Sequence, residues 1–225
     1  MDDTRKCLIR LTNNALVVAN TGQPFNRLGV ISICASHIGT KKRSQPIDSF
    51  SKCRDIDLPE AIREREIETY LRDKNRLFAD YNLENEVSAD YGGRFLWELL
   101  QNADDAMSPL QTPSADLIGL KGIGFKSVLE ITKKPIIYSN PFHFYFSADD
   151  SIRLLKKRGI KNPPSITFRI PHDGSNIEDI IDLVDEYPTI INLPFLDTET
   201  YDKVESEMRK LDVFFLLLCQ CVIQL

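Results

Sequence analysis

The chain has 225 residues, 42% of them hydrophobic and 27% charged, which is the composition of a globular domain with a sizeable core. Its formal net charge of -5 supplies no global basic field for nucleic acid or anionic lipid, although Lys41, Lys42 and Arg43 form a local basic patch. The longest apolar run, Val213 to Leu225, is interrupted by Gln220 and Gln224 and is too short to span a bilayer.

In chain order, Cys7–Thr12 and Ala15–Asn20 read as two strands turned by Asn13-Asn14. Thr21-Gly22-Gln23-Pro24 breaks the pattern, Leu28 to Ile38 predicts a short helix, and 40–58 reads as a loop or lid. Leu58-Pro59-Glu60 marks a helix start, followed by Ile62, Ile67, Tyr70, Leu71, Leu77 and Phe78 at helical spacing. A second helix runs from about Gly92 to Met107, with Phe95, Leu96, Leu99 and Leu100 facing a core. After a loop at 108–116 comes the glycine-rich stretch 119–124, with 125–131 as a helix. Strands at 135–139 and 142–147 are joined by Asn140-Pro141. Then follow helix 150–158, strand 165–170, helix 177–184, strand 189–193 and helix 198–211. The strands arrive in adjacent pairs, so the expectation is an α+β two-layer sandwich and not a doubly wound sheet. We read 1–225 as one domain, with Val213–Leu225 a core element and more protein following in the parent. The five cysteines show no zinc-knuckle spacing and read as buried thiols of a reducing, intracellular compartment.

Two segments carry chemistry. Glu98, Asn102 and Asp105 are four and three residues apart, so they share one helix face. Two carboxylates and a carboxamide on one stripe suit a hard cation and a water to be activated, and suit a solvated polar face equally well. Ile118-Gly119-Leu120-Lys121-Gly122-Ile123-Gly124-Phe125-Lys126-Ser127-Val128 is a glycine-rich turn opening a helix, which can bring backbone N–H groups to a phosphate. It lacks the glycine spacing of a Walker A loop and does not follow the first strand of a βαβ unit.

Taken together, Glu98 to Ala106 (Glu-Leu-Leu-Gln-Asn-Ala-Asp-Asp-Ala) and Gly119 to Val128 resemble the asparagine-box helix and second glycine box of the GHKL (Bergerat-fold) ATPases. The Gly-Phe-Lys-Ser-Val ending is nearest to the sacsin and NO VEIN type of chaperone-like, heat-shock-ninety-like domain. The resemblance implies a mostly antiparallel mixed sheet with helices on one face, binding ATP or ADP with Mg2+. It implies Glu98 as general base, Asn102 as magnesium ligand and Asp105 lining the nucleotide pocket. Gly119, Gly122, Ile123, Gly124 and Phe125 would meet the phosphates. Asn20 and Gly22 would serve the adenine edge, with asparagine where most relatives have aspartate. Thr40 and Lys41 would approach the lid and phosphates, unless 41–43 is simply a solvated loop. Thr189, in Tyr187-Pro188-Thr189, resembles the threonine under the adenine, with proline replacing the glycine.

One feature of order departs from the family. The adenine-box segment, about 2–46, precedes the Glu98 helix, where relatives place it after that helix and before the glycine box. The expectation is a slowly hydrolysing, ATP-binding domain that couples nucleotide state to the conformation of a larger protein with an unknown client. The alternative is a nucleotide-binding or scaffold module without turnover. The acidic balance argues against nucleic acid as this domain's own partner, and no membrane role is expected. The three histidines show no metal-ligand spacing.

Overall fold

A computed structural model describes residues 6–34, 50, 53–90, 92–107, 124–174, 178–211 and 222–224. The chain opens on a hairpin, β1 (Lys6–Leu11) and β2 (Ala15–Asn20), paired antiparallel with Cys7 opposite Asn20. Its turn is closed by side-chain chemistry: Ala15 N–H donates to Thr12 Oγ1 at 3.0 Å, and Thr12 N–H donates to the Ala15 carbonyl at 3.0 Å. A lone hairpin is marginal in water, and every residue of β2 is buried here because the sheet continues on both sides.

The other strands are β3 (Ile136–Ser139), β4 (Phe142–Tyr145), β5 (His172–Asp173), β6 (Thr189–Pro194) and β7 (Val222–Gln224). They form one sheet in the order β5-β4-β3-β6-β2-β1-β7. Among the described pairings only β1–β7 is parallel. The hairpin therefore sits well inside the sheet although it comes first in the chain.

Period-two alternation divides the core between two faces. Cys7, Ile9, Leu16, Val18, Ile137, Phe144, Ile191 and Leu193 join the larger core. Its other wall comes from the helices α1 (Arg27–Cys34), α2 (Leu58–Arg72), α4 (Phe95–Met107) and α6 (Thr198–Arg209). On the opposite face Val17, Ala19, Tyr138 and Ile190 are covered by Ile180, Leu183 and Tyr187. The architecture is an α+β sandwich, as expected. No described helix is long and apolar enough to cross a membrane.

Several expectations require correction. The periodic run from Pro59 is two helices, because Asp73 is extended and its carboxylate accepts from Asn75 N–H at 3.0 Å, starting α3 (Lys74–Asp90). Leu71 and Phe78, on either side of that break, are exposed. Of the expected 40–58 loop, Asp55–Asp57 forms a 3-10 helix and Leu58 begins α2. Residues 125–131 do not make an α-helix: Phe125–Glu130 is 3-10. Of the expected helix 177–184, the described residues form a 3-10 helix at Glu178–Ile180 followed by turns, and residue 177 lies outside the described residues. The helix expected at 150–158 is α5 (Ala148–Lys157), capped by Ser147, which accepts from Asp150 N–H at 3.2 Å.

The expected strand at 165–170 is not a strand, and a buried carboxylate explains why. Glu84 on α3 accepts from Thr167 N–H at 2.7 Å and Phe168 N–H at 2.9 Å. Those donors are thus satisfied by a side chain instead of a neighbouring strand. One turn earlier on α3, buried Asp80 accepts from Arg169 (3.1 Å), Tyr70 (3.1 Å) and Arg76 (3.1 Å). Arg169 is itself buried, and its Nε has no partner among the described atoms.

Removing one member of a buried pair leaves the other charge uncompensated, typically at a cost of about 3–5 kcal/mol. Arg169→Met is therefore expected to destabilise the fold by about 3 kcal/mol. The Asp80→Asn/Arg169→Met double variant should recover part of that loss in a urea-denaturation double-mutant cycle.

Candidate functional site

Helix α4 supplies the polar stripe. Phe95, Leu96, Leu99, Leu100, Ala103 and Met107 are buried in the main core, which turns Glu98, Asn102 and Asp105 away from it. All three are half-buried, so the stripe lies neither in the core nor fully in solvent. Both Gly124 and Gly22 reach this helix, one near each end.

Gly124 approaches the first turn. A Cβ there would overlap Glu98 Oε2 and lie 2.5 Å from Glu98 Cδ. Its φ of -61° is ordinary, so glycine is required here for space and not for backbone conformation. Ser127 Oγ donates to the Gly124 carbonyl at 2.7 Å and closes the turn. Phe125 is buried and packs edge-on to Phe168 with centroids 5.8 Å apart, so its side chain anchors the turn in the core.

Gly22 approaches the last turn. A Cβ there would lie 2.6 Å from the Ala106 carbonyl carbon and 2.7 Å from its oxygen. The next residue, Gln23, donates its N–H to that oxygen at 3.0 Å, satisfying a carbonyl near the helix end. Glu98 and Ala106 are eight residues apart, roughly 12 Å along the helix axis. Asn102 and Asp105 fall between the two glycine contacts.

The sheet brings a second polar group to the same side. Asn20, Thr189 and Ser139 are consecutive cross-strand partners on β2, β6 and β3. By strand parity they share the helix-facing side with Leu16, Val18, Ile137 and Ile191. Ser139 Oγ and Thr189 Oγ1 are hydrogen-bonded at 2.8 Å, and Phe25 N–H donates to Ser139 Oγ at 2.7 Å. Asn20 is only 4% exposed, and its Oδ1 accepts from Gly22 N–H at 3.0 Å in a local turn. That oxygen retains a second lone pair. Ser139 was not among the expected site residues. Its strand ends at the Asn140-Pro141 turn, and only the register with Thr189 reveals its place.

The structure thus joins Glu98 to Gly124, Gly22 to the end of α4, and Asn20 to Thr189. Thr40, Lys41, Gly119, Gly122 and Ile123 lie outside the described residues. Among those described, no group of three or more His, Cys, Asp or Glu residues is placed to hold a metal. His172 is buried, hydrogen-bonded to Ser151 Oγ at 3.2 Å and stacked on Tyr145. Burial lowers its pKa to about 4, against a smaller raising effect of Asp150, so it is neutral near pH 7. The described cysteines Cys7, Cys34 and Cys53 are free thiols.

These features define an α+β domain with a polar, glycine-bounded stripe on one helix. Over 142 residues the chain is 30% identical to Protein NO VEIN of Arabidopsis thaliana. The match takes in 57% of this chain and 5% of that protein, so the chain spans a small fraction of its relative's length. No protein-family model matches the chain.

The two glycines make opposite demands on a substituent. Gly22 faces fixed backbone, so Gly22→Ala must push the β2–α1 connection off α4, at about 1–3 kcal/mol. Gly124 faces the end of a flexible, half-buried side chain, so Gly124→Ala should cost under about 0.5 kcal/mol and displace Glu98 instead. Chemical denaturation of both variants checks the contrast, and equal losses would mean that Glu98 cannot move.

Proposed function

We propose that this chain is an ATP-binding, slowly hydrolysing domain of the GHKL (Bergerat-fold) type, acting with magnesium. It would couple nucleotide state to the conformation of a larger protein, as a chaperone-like or regulatory ATPase. One observation carries the reading. Helix α4 holds Glu98, Asn102 and Asp105 between two glycine contacts roughly 12 Å apart, a span comparable to a nucleoside triphosphate. The similarity to Protein NO VEIN is compatible with this reading and is silent on the ligand.

The residues divide the work by position. Asn20, Gly22 and Thr189 would serve the base, and the Gly124 end of the helix the phosphates. Asn102 offers a single neutral oxygen, and the described residues hold no cluster of three metal-binding side chains. Such a donor set fits magnesium, which keeps several waters and takes its other ligands from phosphate oxygens. Bound there, the ion would neutralise charge on the phosphates.

Glu98, beside Gly124, would accept a proton from a water attacking in line with the terminal phosphorus. The water oxygen–phosphorus bond would form as the bond to the leaving diphosphate oxygen breaks. The half-buried setting of Glu98 limits the water around that carboxylate.

A second reading, a nucleotide-holding module without turnover, is favoured by Asn20. Its oxygen is already engaged by Gly22 N–H, and an amide gives no charge assistance to the base.

Isothermal titration with ATP, ADP and GTP, with and without magnesium, tests the proposal. Adenine nucleotides are expected to bind with micromolar to millimolar dissociation constants. Asn102→Ala should lose the magnesium-dependent part. Glu98→Ala should bind almost normally while turnover falls roughly 10²-fold or more. Binding by Asn102→Ala equal to that of the parent would remove Asn102 from the metal site. Absent turnover in the parent, with binding intact, would leave the second reading standing.

A further inference from the structure

Lys126, inside the glycine-rich motif, is fully buried. Its ammonium lies 5.6 Å from the centroid of Phe168, the residue whose N–H is held by Glu84. The charged and titratable groups that act on it come from three sides. They are Asp80 and Glu84 on α3, Arg169 of the 166–170 segment, and Cys34 at the end of α1. Buried Tyr70 and half-buried Glu66 on α2 act on the same Asp80 and Arg169. Two residues before Lys126, Gly124 bears on Glu98. The 3-10 helix Phe125–Glu130 thus sets a buried cation against Phe168 and near the carboxylates of α3, and the residue before it, Gly124, meets the polar stripe of α4.

A buried ammonium is a costly way to dock six residues, since an apolar group of the same volume carries no desolvation penalty. We propose that Lys126 is a positioning residue that sets how firmly the 124–130 turn docks, and hence whether Gly124 meets Glu98. The turn docks and releases as a local unit, separately from the rest of the sheet. This rests on the nucleotide reading only for its consequence, that docking controls affinity for the phosphates.

The linkage has a definite sign. Burial lowers the pKa of Lys126 to about 8, more than the charges of Glu84 and Asp80 restore, and Arg169 lowers it further. A released Lys126 titrates at its ordinary value near 10.5. Docking therefore carries the full penalty of a buried ammonium below about pH 8. That penalty is relieved as pH rises from about 8 toward 10.5, so docking tightens with pH. Cys34 does not interfere, because burial pushes its thiol far above this window.

Amide hydrogen exchange by mass spectrometry on the free protein, corrected for the intrinsic pH dependence of exchange, tests this directly. Protection of the 124–130 peptide should rise several-fold between pH 7 and pH 9.5. The 136–145 hairpin should stay flat as the control. Lys126→Met has nothing to titrate and should lose the pH dependence. Lys126→Arg, always charged, should lose it too and remain poorly protected. A flat profile for 124–130 in the parent, or an unchanged profile in Lys126→Met, would overturn the proposal. So would matching changes in the control hairpin, because they would mean global stability and not local docking. A second arm titrates Mg-ATP across the same pH range, where affinity should follow the protection profile. If protection shifts as expected but no nucleotide binds, the docking role stands and the nucleotide reading fails.

Discussion

Glu84 is the constraint on which the rest of the site depends. Its carboxylate takes two consecutive backbone donors, Thr167 and Phe168, and so holds an irregular segment against α3. That fixes the Phe168 ring, which Phe125 and Phe146 meet edge-on at 5.8 and 4.9 Å. With Phe125 anchored, the preceding Gly124 is delivered to Glu98. Asp80, one turn away, secures the same segment through Arg169. Charge burial of this kind costs stability, and it is offset here by hydrogen bonds to both carboxylates.

The elements with an unambiguous period were legible in the sequence. The 7–20 hairpin, the strand pair around Asn140-Pro141 and the amphipathic helix at 95–107 all form within a few residues of their expected bounds. What was not legible followed from groups far apart in the chain. Ile166, Phe168 and Ile170 are buried and alternate in the sequence as a strand would, yet the Thr167 and Phe168 N–H groups between them are held by a side chain on α3. Arg76, Asp80 and Glu84 stand at four-residue spacing, the pattern of a solvated helix face, although Asp80 and Glu84 are buried. Apolar periodicity carried straight through residue 73, because it cannot see an aspartate that ends one helix and caps the next.

The site was legible in the same uneven way. The stripe Glu98, Asn102, Asp105 needs only helical geometry, and α4 supplies it. The meeting of Gly124 with Glu98 and of Gly22 with Ala106 depends on tertiary approach. The neighbourhood of Asn20, Thr189 and Ser139 depends on strand register. The hairpin precedes α4 in the chain and still lies inside the sheet, for a simple physical reason. Strands pair by pattern and register, so β2 enters between β6 and β1 wherever it falls in the chain.

On the proposed reading, the α4 stripe and its two glycine contacts form one ligand site. Backbone amide NMR of the labelled protein, titrated with Mg-ADP against a magnesium-only control, tests it most directly. Shifts are expected to group at Gly22, Glu98, Asn102, Gly124 and Thr189, with the opposite face at Ile180, Leu183 and Tyr187 unmoved. Shifts confined to that opposite face, or none at saturating nucleotide, would contradict it.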